Sequence, residues 1–115
     1  MITSVQQGTT AIRVFETLTR VDGERAAPSA TPTVVSIHVD GVFNSALAAA
    51  ATITQMQDGT PANIPGYYRL EFPTTSLAVN NDIHVTLAAT INGFPRQTVY
   101  SFVIIDQPSM LPVIR

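Results

Sequence analysis

The chain of 115 residues is 45% hydrophobic and only 12% charged, carries a net charge of −2 and contains no cysteine. Its length predicts a single domain that can bury a core without covalent staples. A slightly acidic chain lacks the basic stripe that nucleic-acid binding requires, and the missing cysteines exclude disulfides, thiolate zinc sites and cysteine nucleophiles. No stretch reaches the ~18 apolar residues of a spanning helix. Residues 1–8 lack a signal-peptide pattern, so we expect a soluble product made in the cytoplasm.

The small number of charged residues affects the tendency of the surface to associate with other chains. A charged share about half that of an average soluble domain resists self-association poorly, which favours a partner or a self-interface. All six basic residues are arginine, and lysine is a common guard of exposed strand edges. Its absence favours edges covered by another chain, although a compositional bias of the genome produces the same absence.

The first segments predict an arm followed by a strand. Residues 1–10 are polar and contain Gly8, which predicts an N-terminal arm. Residues 11–20 are rich in β-branched and aromatic side chains and predict a strand. The alternation in this strand is imperfect, because one face carries Ile12, Val14, Leu18 and Glu16.

The second predicted strand, residues 33–39, lies beyond a loop rich in proline, alanine, serine and threonine. Asp40 and Gly41 predict a tight hairpin after it, because glycine accepts the positive φ that the favoured two-residue turns demand. The side chains expected together on one face of this strand are Val35, Ile37 and Val39.

Residues 44–51 are ambiguous. The alanines at the end of this stretch have high helix propensity, yet they lead directly into a run that prefers a strand. We predict a loop or a single helical turn, followed by a strand over residues 50–56.

The last third of the chain carries the clearest strands. Residues 67–72 alternate with one wet face, residues 73–81 cross over, and Asn92 and Gly93 turn the chain into a final strand over residues 97–105. One of the last two strands is apolar on both faces, which indicates burial between two layers. The strand before the turn is expected to line the core with Ile83, Val85, Leu87 and Ala89.

About seven short strands with turn signals between them predict an all-β fold, a sandwich or barrel of mostly antiparallel strands. Residues 11–106 form this domain, and residues 107–115 form a C-terminal arm. Two prolines discourage a ladder strand in the arm, which either folds back over its own sandwich or docks on a neighbour. Its apolar side chains, the candidate interface, are Met110, Leu111, Val113 and Ile114.

Few residues suggest chemistry. His38 with Asp40, and His84 with Asp82, each share a strand face, which could indicate a metal ligand or a general base. A zinc site needs three or four converging donors, so we favour solvent-facing polar positions. No serine lies in a Gly-x-Ser-x-Gly elbow; the serines considered are Ser36, Ser76 and Ser101. We predict a protein without catalytic residues, metal or cofactor.

Two binding alternatives remain open. Oxygens from residues 80–82 or 22–24 could hold calcium, although turn formation explains the same residues. A glycan site needs exposed aromatic rings, and the candidates at loop tips are Tyr67 and Phe94. Phe94 with Pro95 is more simply a hydrophobic lid on its own turn.

The order of these segments resembles the small immunoglobulin-like β-sandwich proteins of tailed-bacteriophage particles. The likeness covers residues 12–105, nearly the whole chain. The segments that carry it are residues 15–23, 33–41, 53–55, 66–72, 81–93 and 101–104.

The resemblance implies an immunoglobulin-like sandwich without catalytic residues. It implies a structural virion component of the tail, baseplate, neck or head surface, present in symmetric copies, with other virion proteins and copies of itself as partners. A short chain with arms at both ends fits an accessory or decoration protein. The alternative is an adhesin-like module that binds host-surface glycan through its loop tips; a third is a chaperone or inhibitor that pairs through a strand edge.

Overall fold

The computed structural model describes residues 2–18, 25–57, 59 and 63–106. Over these residues the chain forms strands and one short helix. In chain order they are β1 (Ile2–Gln6), β2 (Thr10–Glu16), β3 (Thr33–Val39), β4 (Val42–Phe43), α1 (Ser45–Ala50), β5 (Thr52–Gln57), β6 (Asn63–Pro73), β7 (Asp82–Ile91) and β8 (Phe94–Ile105).

The strands form two sheets. The five-stranded sheet has the order β1-β8-β7-β3-β4, and the three-stranded sheet has the order β2-β6-β5. Every neighbouring pair is antiparallel except β1 and β8, which run parallel. The prediction of an all-β fold is therefore confirmed, as a sandwich-like arrangement of one mixed sheet and one antiparallel sheet.

The two predicted tight turns are present. Asp40 and Gly41 have φ of 51° and 83°, and Asn92 and Gly93 have φ of 53° and 82°. Positive φ at both central residues is the geometry that matches the right-handed twist of the flanking strands. The second turn joins β7 to β8, the longest ladder of the molecule, which runs from the Ile91–Phe94 pair to the Asp82–Val103 pair.

The core lies between the inner faces of the two sheets. Phe72 of β6 meets Phe102 of β8 edge to face, with ring centroids 5.0 Å apart and planes at 88°. Leu47 of α1 is also buried in this core, and the helix begins with the Asn44 side chain accepting a hydrogen bond from the Leu47 amide. As the sequence predicts, β6 and β7 supply much of the core, through Tyr68, Leu70, Phe72, Ile83, Val85 and Leu87.

The N-terminal segment differs from its prediction as an arm. Residues 2–6 form β1, paired along the edge of β8 from Ile2–Ser101 to Gln6–Ile105. Val5 is buried in the core at 7% exposure. β1 and β8 lie far apart in the chain and are not joined by a tight turn. The residues near the N-terminus therefore carry no turn signal that would predict this pairing, and by themselves they indicate only a polar segment. The four apolar residues of the predicted C-terminal arm lie outside the described residues.

Two strands present different faces from those expected. The ladder of β3 shifts register between Val34 and Ser36, so Val35 is 48% exposed while Ile37 is fully buried. A bulge adds one residue to a strand and thereby reverses which side chains face inward. In β8, Phe102 and Ile104 are buried, but Val99 is 55% exposed, and no described layer covers its face. The prediction of a strand enclosed on both sides is wrong here.

The strand predicted over residues 67–72 is longer in the structure. β6 runs from Asn63 to Pro73 and includes Pro65 and Gly66, residues that the sequence pattern assigns to a connection. Gly66 has φ of 75°, so this residue bends the strand without ending it.

Candidate functional site

The β8 strand is much longer than the strand that covers its edge. β1 pairs only with residues Ser101–Ile105, whereas β8 begins at Phe94. On the side away from β7, no described strand pairs with residues Pro95–Val99. We call these five residues the β8 window. Their side chains are all exposed.

The turn at Asn92 and Gly93 determines which backbone groups the window presents. Ile91 and Phe94 close a two-residue hairpin, and in antiparallel ladders the peptide groups of successive residues point to opposite edges. The amide and carbonyl of Gln97 and of Val99 therefore point away from β7, towards the uncovered edge. Pro95 adds a carbonyl but has no amide hydrogen. The window thus offers an incomplete ladder to another extended chain.

A cleft of about 240 Å³ opens beside the window, between the two sheets. One wall is formed by Phe15 of β2 and by Thr17 and Leu18 just beyond that strand, and the other by β8, with Arg96, Thr98 and Tyr100. The Arg96 guanidinium donates from Nη1 to the Leu18 carbonyl oxygen at 3.0 Å. This hydrogen bond links the two walls at the end of the sandwich where β1 is absent.

Beside β1 itself, the space between the sheets is filled. Arg13 of β2 points inward, and its Nη1 donates to the Thr3 hydroxyl oxygen at 3.2 Å. The same guanidinium carbon lies 4.8 Å from the centroid of the Tyr100 ring, a cation–π contact. Burial raises the pKa of the Tyr100 hydroxyl, and the charge of Arg13 partly offsets that rise. Tyr100 therefore marks the boundary between the closed edge and the cleft.

Exposed apolar side chains lie next to the window. Ile2 is 61% exposed and pairs in register with Ser101, so it lies on the same outer sheet face as Val99. A second apolar stripe lies on the outer face of β2, the edge strand of the three-stranded sheet. It consists of Ile12 and Val14, and the exposed Leu18 follows two residues beyond the end of the strand. These are the imperfectly alternating residues of the first predicted strand, and their apolar face is the outward one.

The outer face of the five-stranded sheet also brings three polar side chains together. The Ser101 hydroxyl lies 3.0 Å from His84 Nδ1, and His84 Nε2 lies 3.0 Å from an Asp82 carboxylate oxygen. His38 lies opposite His84 in the ladder. The sequence pattern linked His84 with Asp82 but left Ser101 without a partner, and the β7–β8 register supplies that partner.

This Ser–His–Asp chain lies on an open sheet face. The side chains of His84 and Asp82 are 42% and 54% exposed. A working triad also needs converging N–H donors for the oxyanion and a recess for substrate, whereas Ser101 lies mid-strand between β7 and β1. The three side chains therefore form a polar row on the sheet surface, in which His84 lies between the Asp82 carboxylate and the Ser101 hydroxyl.

We expect Ser101 to be unreactive towards a fluorophosphonate probe. Ser101 lies in mid-strand, paired with Ile2 of β1 and His84 of β7, so the backbone N–H groups beside it belong to the ladders and are not free to stabilise the oxyanion that the probe forms. Intact-mass spectrometry after incubation measures the adduct directly, with a known serine hydrolase as the positive control. A stoichiometric adduct that disappears in Ser101→Ala and in His84→Ala would contradict this and assign the row a nucleophilic role.

Two of the side-chain oxygens considered for calcium have partners within the protein. The Asn81 side-chain oxygen accepts from the Ala78 amide at 2.7 Å, and an Asp82 carboxylate oxygen lies 3.0 Å from His84 Nε2. The Asn81 side-chain amide and the Asp82 backbone amide both donate to the Asp40 carboxylate at 2.8 Å. Among the described residues, no group of three or more histidine, aspartate or glutamate side chains converges as a metal site requires. The alternative at residues 22–24 lies outside the described residues.

The two candidate loop-tip aromatics occupy different surroundings. Tyr67 is half-buried at the outer face of β6, where the Arg25 guanidinium lies 5.6 Å from its ring centroid and within 3.7 Å of Glu16. Phe94 lies at the tip of the β7–β8 hairpin and is 46% exposed. The candidate interface residues Met110, Leu111, Val113 and Ile114 are outside the described part of the chain.

The fold and the site define an all-β, sandwich-like protein with a strand edge that no described strand covers and a cleft beside it. No protein-family model and no curated protein matches the chain. Over its described residues, the chain holds no helix long and apolar enough to cross a membrane.

Proposed function

We propose that this protein is a non-enzymatic structural component of a bacteriophage particle, built as an immunoglobulin-like sandwich that self-assembles through strand edges and terminal arms. It acts at the tail, baseplate, neck or head surface as an accessory or decoration protein, made in the host cytoplasm and carried in the virion. The resemblance over residues 12–105 supports the phage assignment. The β8 window is the single observation that carries the self-assembly.

An uncovered edge of this kind favours association. Exposed strand edges are usually blunted by lysine, by proline or by a covering segment. The window has no lysine, and its one proline, Pro95, lies at its hairpin end and leaves the amides of Gln97 and Val99 free of that guard. Its one charged residue, Arg96, is engaged with the Leu18 carbonyl. Val99, the last residue of the window, and the neighbouring Ile2 add apolar surface. Burial of this surface contributes roughly 25 cal/mol per Å² before ordering costs.

We expect the protein to form an oligomer of defined stoichiometry, and Val99→Lys to weaken that association at least ~10-fold. A lysine at position 99 places a hydrated charge on the pairing edge. Val35→Lys is the matched control, because Val35 is similarly exposed but belongs to β3, which β7 separates from β8 and the window. Light scattering coupled to gel filtration measures both variants over a concentration series.

A monomer at every concentration would contradict self-assembly, and an equal effect of the two substitutions would contradict the edge as its site. The virion assignment has its own test. Mass spectrometry of purified phage particles should detect the chain in fixed proportion to the other structural proteins, and its absence from the particles would exclude that assignment.

A further inference from the structure

We infer that the β8 window and its cleft receive residues 109–114 of a second copy of this chain, added as a β-strand. This inference rests on the proposed self-assembly and names both its donor and its acceptor. The acceptor is formed entirely by described residues of β2, β7 and β8, and the donor is the apolar C-terminal segment.

The acceptor lies along the same edge of β8 that β1 occupies. Where β1 is present, its inward side chains occupy the space between the sheets: Val5 is buried in the core, and Thr3 bonds to Arg13. Before Ile2 in the chain, no described residue pairs with this edge of β8 over the length of the window, and the space between the sheets becomes the cleft of about 240 Å³. A further strand placed there pairs with the peptide groups of Gln97 and Val99. Its inward side chains enter the cleft.

The spacing of two prolines in the donor fits a strand paired on one side only. Pro108 and Pro112 are four residues apart, so in an extended strand both backbone nitrogens point to the same edge. With that edge outward, the amides of Ser109, Leu111 and Val113 all point towards β8. Prolines that discourage a central strand are tolerated when the missing amide faces solvent.

The donor is apolar on both of its faces, as this position requires. Alternation places Leu111 and Val113 on one face and Met110 and Ile114 on the other. One face of the added strand meets the cleft lined by Phe15 and Leu87, and the other lies on the outer sheet face beside Val99 and Ile2. A segment with only one apolar face would leave one of these two surfaces uncovered.

Chain length excludes the protein's own tail as the donor. From Asp106 back to Gln97, at the centre of the window, nine residues of β8 span roughly 30 Å. Leu111, at the centre of the donor, is five residues beyond Asp106 and can reach at most ~18 Å from it. The donor therefore comes from another copy. Because donor and acceptor are different surfaces, the contact is head-to-tail, and a closed ring is the form of it that has a defined number of copies.

The test compares two proline substitutions in the donor. Leu111→Pro removes an amide that faces β8, whereas Met110→Pro removes one that faces outward, and each exchanges one apolar side chain for proline. We expect Leu111→Pro to weaken self-association at least ~10-fold and Met110→Pro to change it less than ~3-fold. Sedimentation velocity measures both, with circular dichroism to verify that each variant keeps its β spectrum.

A mixing experiment tests the acceptor. Gln97→Pro removes an edge-facing amide of the window while leaving the hydrogen bonds to β7 in place. This variant keeps a working donor, and Leu111→Pro keeps a working acceptor. We expect each alone to be monomeric and the mixture to form a 1:1 pair that grows no further.

The outcomes separate this inference from the proposed function. If the protein self-associates but the two donor prolines behave alike, or the mixture forms no pair, the donor strand is wrong while self-assembly stands. If deletion of residues 107–115 leaves the oligomer intact while Gln97→Pro disrupts it, the window receives another edge of the neighbouring copy. A protein that is monomeric throughout contradicts both.

Discussion

Replacing Phe102 with alanine is expected to lower the free energy of unfolding by about 3–5 kcal/mol. Phe102 is fully buried, and its ring meets Phe72 of the opposite sheet edge to face. The substitution removes the aromatic contact and leaves a cavity at the place where the two sheets pack. A domain of ordinary stability has only about 5–15 kcal/mol in total, so the substitution removes between about a fifth and all of that stability.

Urea denaturation followed by far-ultraviolet circular dichroism measures this loss. Phe43→Ala is the matched control, because Phe43 is 54% exposed on the two-residue strand β4, and we expect its loss to be about 0.5 kcal/mol or less. Equal losses in the two variants would mean that β6 and β8 do not pack face to face, and the arrangement of the sheets would have to be revised.

The elements that could be predicted from the sequence are those determined locally. Asp40-Gly41 and Asn92-Gly93 adopt the positive φ that their residue types favour. The period-two pattern before the second turn correctly places Ile83, Val85 and Leu87 in the core. In each case the signal lies within a few residues of the structure that it specifies.

The elements that escaped prediction depend on contacts distant in the chain. β1 is a strand because β8, about a hundred residues later, lies alongside it, and residues 2–6 by themselves carry no strong strand pattern. The bulge at Val35 is equally hidden, since it depends on how β3 fits β7 and not on β3 alone. The β8 window is defined by the register in which β1 pairs with β8 and could not be foreseen without that pairing.

The polar row on the outer face is an intermediate case. A two-residue turn fixes the register of both strands that it joins. Counting seven residues outward from Ile91 and from Phe94 gives His84 and Ser101, which are paired in the structure. The juxtaposition was therefore available from the sequence once the turn at Asn92 and Gly93 was accepted. The exposure of this polar row could not be predicted in the same way, because it depends on how the whole sheet is covered.

Gly66→Ala is expected to lower the free energy of unfolding by roughly 2–5 kcal/mol, from two separate causes. Gly66 has φ of 75°, and a Cβ placed there would lie 2.7 Å from the Ala26 carbonyl oxygen. That carbonyl cannot yield easily, because it accepts a hydrogen bond from the Thr17 hydroxyl at 2.6 Å. The Thr17 amide in turn donates to the Gly66 carbonyl at 2.8 Å, so the three segments are fixed together.

Gly41→Ala separates the two causes. Gly41 has φ of 83°, and an added Cβ would meet nothing within 4 Å, so this variant pays only the conformational penalty of about 1–2 kcal/mol. Urea denaturation of both variants gives the difference, which measures the contact with Ala26. If Gly66→Ala costs no more than Gly41→Ala, the segment around Ala26 does not pack against β6, and the wall of β2 beside the cleft loses its support from that side.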